Sequence, residues 1–147
     1  KFPENYQIVM SLGYPNNTLD TVNNGNLIIH GWLPNRFEYM KASDIIVCRG
    51  GHGTISQSIC FGRPMILIPT PSHTEQYNNS KKATELGVAK IIKQENLTKD
   101  ILLTNIRYIL DNKTIQNRAN QLQKDILTCN GLATAVRIIK NAANKKD

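Results

Sequence analysis

Three glycines punctuate Arg49-Gly50-Gly51-His52-Gly53-Thr54, between an apolar run and a stretch of helical periodicity. Glycines let backbone N–H groups approach an anion closely, and the positive end of a following helix adds to the attraction. The chemistry on offer is the grip of a diphosphate. The plainer alternative is a tight turn with incidental glycines. The spacing is neither GxGxxG nor GxxxxGK(S/T), which disfavours the standard dinucleotide and ATP cradles.

Other residues can serve the same ligand. Trp32, the single tryptophan, follows an apolar run between Gly31 and Leu33-Pro34. An indole there can stack on a nucleobase, or it can pack against a core or a neighbouring domain. Gln57 lies three residues after Thr54 and can aim an amide at ribose hydroxyls, although a helical Gln is commonly a solvated surface residue. Glu75-Gln76 opens a later helix, where Glu75 can equally be a carboxylate favoured by the helix dipole. His52 is a weak candidate base, since a His in a glycine loop can simply shape that loop.

These residues need elements to position them. Tyr6–Leu12 and Leu27–Ile29 read as short buried strands, the first ending in the turn Gly13-Tyr14-Pro15-Asn16-Asn17. A short helix is expected over Phe37–Ala42. Asp44–Cys48 is an unbroken apolar strand, of the kind found in parallel sheets covered on both faces. It runs into the glycine loop and then a helix in which Ile55, Ile59 and Cys60 share a face. Pro64–Pro69 is a fourth strand, bounded by Gly62. Gln76–Leu86 is a helix stopped by Gly87 as its C′ residue, and Val88–Ile92 a short fifth strand.

From Thr98, a candidate N-cap, apolar residues recur at threes and fours: Ile101, Leu102, Ile106, Ile109 and Leu110. Ile115, Ala119, Leu122 and Ile126 continue in a second helix. Gly131 interrupts, and Leu132–Ile139 reads as a last helix with a frayed Lys/Asn tail. Strands alternating with helices give an α/β domain with a mostly parallel sheet, whose ligands bind beyond the strand C-termini. Ser11–Gly13, Gly31–Pro34, Arg49–Thr54 and Thr70–Gln76 occupy those places.

The 147 residues suit one domain, and 40% hydrophobic with 20% charged residues fits neither a disordered chain nor a membrane bundle. No run approaches the roughly 18 to 20 apolar residues of a spanning helix, and Lys1-Phe2-Pro3-Glu4 lacks a signal peptide's apolar region. A cytoplasmic protein is expected, with peripheral membrane association open. Cys48, Cys60 and Cys129 form no metal spacing and are expected to be reduced, partly buried thiols. A net charge of +7 suits a phosphate-bearing ligand or an anionic surface, while no nucleic-acid-binding motif is present.

Taken together, Gly31-Trp32-Leu33-Pro34-Asn35, Asp44 through Gln57, Gly62-Arg63-Pro64-Met65 to Pro69, and Glu75-Gln76-Tyr77-Asn78-Asn79 resemble the donor-site signature of UDP-sugar glycosyltransferases. The W-L-P segment and the G-x-P-M strand are similar to the UDP-glucuronosyltransferase and macrolide glycosyltransferase group. The V-C-R-G-G segment and the stretch to Ala89-Lys90-Ile91-Ile92 are similar to the N-acetylglucosaminyltransferase of peptidoglycan lipid synthesis and its eukaryotic dolichol-linked counterpart.

The resemblance implies the donor-binding half of a GT-B fold, a Rossmann-like three-layer domain over residues 1–147 with its C-terminal helices from about 98 onward. It implies that Trp32 stacks on uracil while the Leu33 backbone reads the base edge. Gly50, Gly51, His52, Gly53 and Thr54 would hold the diphosphate with Arg49 beside them, and Glu75 and Gln76 would contact the sugar. Gln57 stands where both branches usually carry a glutamate on the ribose, a substitution that gives up a charge-assisted hydrogen bond.

The implied reaction is inverting transfer from a UDP-sugar, of UDP-GlcNAc or UDP-glucose type, to an acceptor hydroxyl on a lipid-linked or small molecule. The UDP-sugar is a co-substrate, and no cofactor or metal is implied. The family's domain normally opens with a further strand, glycine-rich loop and helix, so the chain reads as a segment of a longer one. The acceptor-binding domain and the general base would lie in the other half. Two alternatives remain: a donor-binding subunit inactive without a partner acceptor domain, and a UDP-sugar epimerase or hydrolase on the same architecture.

Overall fold

The computed structural model describes residues 2–14 and 21–144, and the chain divides between Ala42 and Ser43 into two compact units. In the first unit β1 (Ile8–Ser11) pairs in parallel with β3 (Leu27–His30), in register from Ile8↔Leu27 to Ser11↔His30. An additional strand, β2 (Val22–Asn24), pairs antiparallel with β3, giving the order β1-β3-β2. The two residues between β2 and β3 are Gly25 and Asn26, and Gly25 takes a φ of 64°, as a tight hairpin requires. Asn26 ties down the preceding segment, its Nδ2 donating to the carbonyls of Pro3 and Tyr6 at 2.8 and 2.7 Å. Helix α1 (Arg36–Ala42) closes the unit. The expected turn at Pro15-Asn16-Asn17 lies outside the described residues.

The second unit carries β4 (Ile46–Cys48), β5 (Met65–Leu67) and β6 (Ala89–Ile91), all parallel, with β5 central. Successive strand residues face opposite sides, yet Met65, Ile66 and Leu67 are all fully buried, so both faces of the sheet are covered at β5, whereas Val47 of the edge strand β4 is exposed. Met65 and Leu67 join Ile55 and Ile59 of α2 (His52–Cys60), Ala83 of α3 (Thr74–Glu85) and Ala119 of α5 (Lys113–Thr128) in one cluster. Ile66 faces the other way, and α4 (Lys99–Asp111), with Leu103, Ile106 and Ile109 buried, lies against β5. The three-layer, mostly parallel α/β reading is therefore borne out, with β2 the exception in direction.

Helix ends follow the turn chemistry. Gly87, at φ 79°, makes a Schellman close: its N–H donates to the Thr84 carbonyl and that of Val88 to the Ala83 carbonyl. Gly62, at φ 66°, ends α2 the same way, through Gly62 to Ile59 and Arg63 to Ser58. Thr98 caps α4 by accepting from the Ile101 N–H at 3.2 Å, as its position predicts.

Four expectations need correcting. Strands β1 and β3, expected to be buried, contain no buried residue, and Met10 of β1 is exposed. Cys60 is exposed: five residues beyond Ile55 places it about 140° around the helix, on the solvent side. Cys129 is exposed as well, leaving Cys48 as the only partly buried thiol of the three. Gly131 does not interrupt a helix but starts α6 (Gly131–Ala143), which Asn130 caps by accepting from the Ala133 N–H. Helix α6 has no buried residue, and Leu132 and Ile139 remain 79% and 67% exposed. The end of the expected Lys/Asn tail, Lys145 and Lys146, lies outside the described residues. No helix among the described residues is long and apolar enough to cross a membrane.

Candidate functional site

In the second unit the loops after β4 and β5 leave neighbouring parallel strands at their C-terminal ends, and each runs into a helix N-terminus. Gly51 is the N-cap of α2, with extended backbone and no side-chain cap. The first intrahelical bond is Ile55 N–H to the Gly51 carbonyl, so the N–H groups of His52, Gly53 and Thr54 have no partner among the described residues. His73 likewise caps α3 without a side-chain bond, and the N–H groups of Thr74, Glu75 and Gln76 are similarly open. Two positive helix ends thus flank one edge of the sheet.

The three loop glycines answer to different demands. Gly50 has a φ of 83°, and a Cβ there would overlap Ser80 Oγ and come within 2.9 Å of the Gln76 carbonyl oxygen. The fold requires glycine at that position. Gly51 and Gly53 have ordinary backbone angles, and a Cβ on either would meet nothing within 4 Å. Neither is glycine for the sake of internal packing, and both leave clear space before the open N–H groups.

The polar side chains around this loop are unequally committed. Arg49 is exposed and makes no ion pair among the described residues. His52 is exposed on the first turn of α2. Thr54 and Gln57 are half-buried and three residues apart, hence on one side of the helix away from the Ile55 and Ile59 face. Glu75 is exposed and accepts from Asn79 Nδ2 at 3.2 Å, a bond within its own helix. Gln76 is half-buried, and its Oε1 accepts from the Thr70 N–H at 2.9 Å. Its carbonyl amide oxygen is therefore occupied in holding the loop after β5, leaving the Nε2 donor for a ligand.

The structure brings Arg49–Thr54, Gln57 and Gln76 together in this unit, with Glu75 on the adjoining turn. Trp32 and Leu33 belong to the first unit, at the end of β3. There the ladder with β1 continues beyond the strands, Leu12 N–H donating to the His30 carbonyl and Tyr14 N–H to that of Gly31, both at 2.9 Å. Trp32 is 44% exposed, so it is not a core residue of its unit.

Beneath the glycine loop, burial pushes the Cys48 thiol above its ordinary range, against a smaller opposing effect of the Gly50 N–H directed at it. With a raised value the thiol stays protonated, and thiolate is the reactive form. Labelling of the native protein near pH 8 with a thiol-specific disulfide reagent is therefore expected to give two fast cysteines, Cys60 and Cys129, and one slow one. Three equally fast sulfhydryls would place Cys48 in solvent.

Sequence reasoning missed Ser80 and Ser58, and had Thr70 only as the start of the Thr70–Gln76 loop, not as a partner of Gln76. Ser80 was legible as a polar residue in the inward stripe Gln76, Ser80, Ala83 of α3, where an apolar side chain is the norm.

Comparison with known proteins identifies the family. The family model for the glycosyltransferase family 28 C-terminal domain matches residues 2–130. A UDP-N-acetylglucosamine--N-acetylmuramyl-(pentapeptide) pyrophosphoryl-undecaprenol N-acetylglucosamine transferase of Desulforamulus reducens is 35% identical over 116 residues, covering 71% of this chain and 31% of that protein. An uncharacterized glycosyltransferase of Methanosarcina acetivorans is 30% identical over 116 residues, covering 78% and 29% respectively. In fold, the chain is similar to the calicheamicin glycosyltransferase CalG4, with a TM-score of 0.75 at 18% identity over 99% of this chain and 44% of that one. The chain spans about three-tenths of the length of the curated relatives it matches. By the extent of the family match, and with a GT-B-type half-domain fold beneath it, the chain belongs to the glycosyltransferase family 28 C-terminal domain family.

Proposed function

We propose that this domain binds a UDP-sugar and presents its diphosphate as the leaving group for inverting transfer to an acceptor hydroxyl. The observation that carries the reading is the pair Gly51 and Gly53, glycines that neither backbone angle nor packing demands, set before three open N–H groups. In such a transfer an acceptor oxygen attacks the anomeric carbon, the bond from that carbon to the β-phosphate oxygen breaks, and the electron pair leaves with UDP. Negative charge then grows on the diphosphate, where the helix-end N–H groups and the free Arg49 guanidinium would stabilise it. Trp32 would take the base, Gln57 the ribose, and Glu75 with the Gln76 amide the sugar. A UDP-N-acetylglucosamine donor is supported by the name of the Desulforamulus relative.

Calorimetric titration with UDP, UDP-GlcNAc, UDP-glucose, ADP and NAD tests this, the uridine ligands being expected to bind preferentially. Trp32→Ala should weaken UDP by about 1 to 3 kcal/mol if the indole stacks on the base. Equal affinity in the folded variant would remove Trp32 from the site, and no preference for uridine ligands would remove the donor assignment.

A second reading is a donor-binding subunit completed by a separate acceptor half, for which the exposed apolar residues of α6 offer a surface to cover. On that reading the chain alone binds UDP without turnover.

A further inference from the structure

Among the described residues two polar side chains are buried, Ser58 and Ser80. Each lies within the second turn of a helix whose N-terminus opens on the proposed diphosphate site, and each donates to the carbonyl four residues earlier. Ser58 Oγ bonds the Thr54 carbonyl at 2.8 Å and Ser80 Oγ the Gln76 carbonyl at 2.7 Å. Such a back-bond satisfies a buried hydroxyl anywhere in a helix, so by itself it signifies little. Ser80 differs in what else touches it. Gly50 of the other loop sits directly against Ser80 Oγ and the Gln76 carbonyl, with no room for even a methyl group. Gln76 in turn holds Thr70 of its own loop through Oε1.

The geometry points to Gln76 and Ser80 as positioning residues that lock the two anion-facing loops together. Gln76 reaches one loop with its side chain and the other with its backbone. Ser80 fixes the shared carbonyl and forms the floor on which Gly50 rests. The inference rests on the diphosphate reading above and adds that Gln76 serves first as a brace, with its Nε2 donors still open to a sugar. It also assigns work to Ser80, which is fully buried. Fixed loops keep the His52, Gly53 and Thr54 N–H groups aimed at one point, and directed donors lose strength steeply when misaligned.

The test compares UDP with UMP, because their affinity ratio isolates the grip on the second phosphate from base and ribose binding. Wild-type protein is expected to favour UDP clearly. Ser80→Ala removes only the hydroxyl, and Gln76→Met keeps length while removing the acceptor for Thr70. Each is expected to cut the UDP/UMP ratio by about three- to tenfold, the size of one modest hydrogen bond, with UMP affinity and melting temperature nearly unchanged. An unchanged ratio in both variants overturns the brace. Equal losses of UDP and UMP overturn it too, since they would mark a general structural defect. Wild-type protein that binds UMP as well as UDP would instead sink the diphosphate reading itself.

Discussion

Gly50→Ala is expected to lower the unfolding free energy by about 3 kcal/mol or more, from two costs that add. A φ of 83° is strained for any residue with a Cβ, by roughly 1 to 2 kcal/mol. The new methyl would also collide with Ser80 Oγ and with a backbone carbonyl, and neither can swing aside: Ser80 is fully buried and hydrogen-bonded, and the Gln76 carbonyl is part of α3. Overpacking of that kind typically costs about 1 to 3 kcal/mol, against a total stability on the order of 5 to 15. Urea denaturation measures the difference. A loss below about 1 kcal/mol would mean that the loop slides off α3 at little cost, and the close approach of loop and helix would lose its importance.

Gly53→Ala should do the reverse. Residue 53 lies in the first turn of α2 with helical backbone and open space where the methyl would go, so alanine is expected to leave stability unchanged or raise it by up to about 1 kcal/mol. The same methyl occupies the approach to the open N–H groups. If a diphosphate accepts from them, displacing it from two charge-assisted hydrogen bonds costs about 3 kcal/mol, roughly a hundredfold in UDP affinity. A variant that melts at or above the wild-type temperature yet hardly binds UDP is the expected result. Undiminished binding would show that the phosphates lie elsewhere.

Much of the fold was legible because period and punctuation agreed. Met65-Ile66-Leu67 between Gly62 and Pro69 reads as a doubly covered strand, and Gly87 and Thr98 carry their helix ends in their residue types. Strand β2 escaped because Val22-Asn23-Asn24 is exposed throughout and offers no apolar alternation. Its one signal was the Gly25-Asn26 pair, a hairpin dipeptide. Cys60 went astray because spacings of four and five were treated alike, although only the former returns to the same face.

The site was legible as a set of loops but not as a set of roles. Nothing in the string Gly50-Gly51-His52-Gly53 says that the first glycine answers to Ser80 and the other two do not, because the contact is made across the domain. Gln76 reads as a sugar ligand alone, and its second task shows only when Thr70 is seen to donate to its amide oxygen.

The parallel pairing of β4, β5 and β6 also bears on the order in which the domain folds. Parallel neighbours cannot be joined by a tight turn; each ladder closes only when a helical crossover has folded back over the sheet. The crossover from β4 to β5 contains the glycine loop and α2, and that from β5 to β6 contains the Thr70 loop and α3. The segments that face the proposed ligand are thus the same ones whose closure builds the central ladder. Nascent chains would acquire the core sheet and the anion-facing loops in one cooperative step, leaving little room for an intermediate with a finished core and an unformed site.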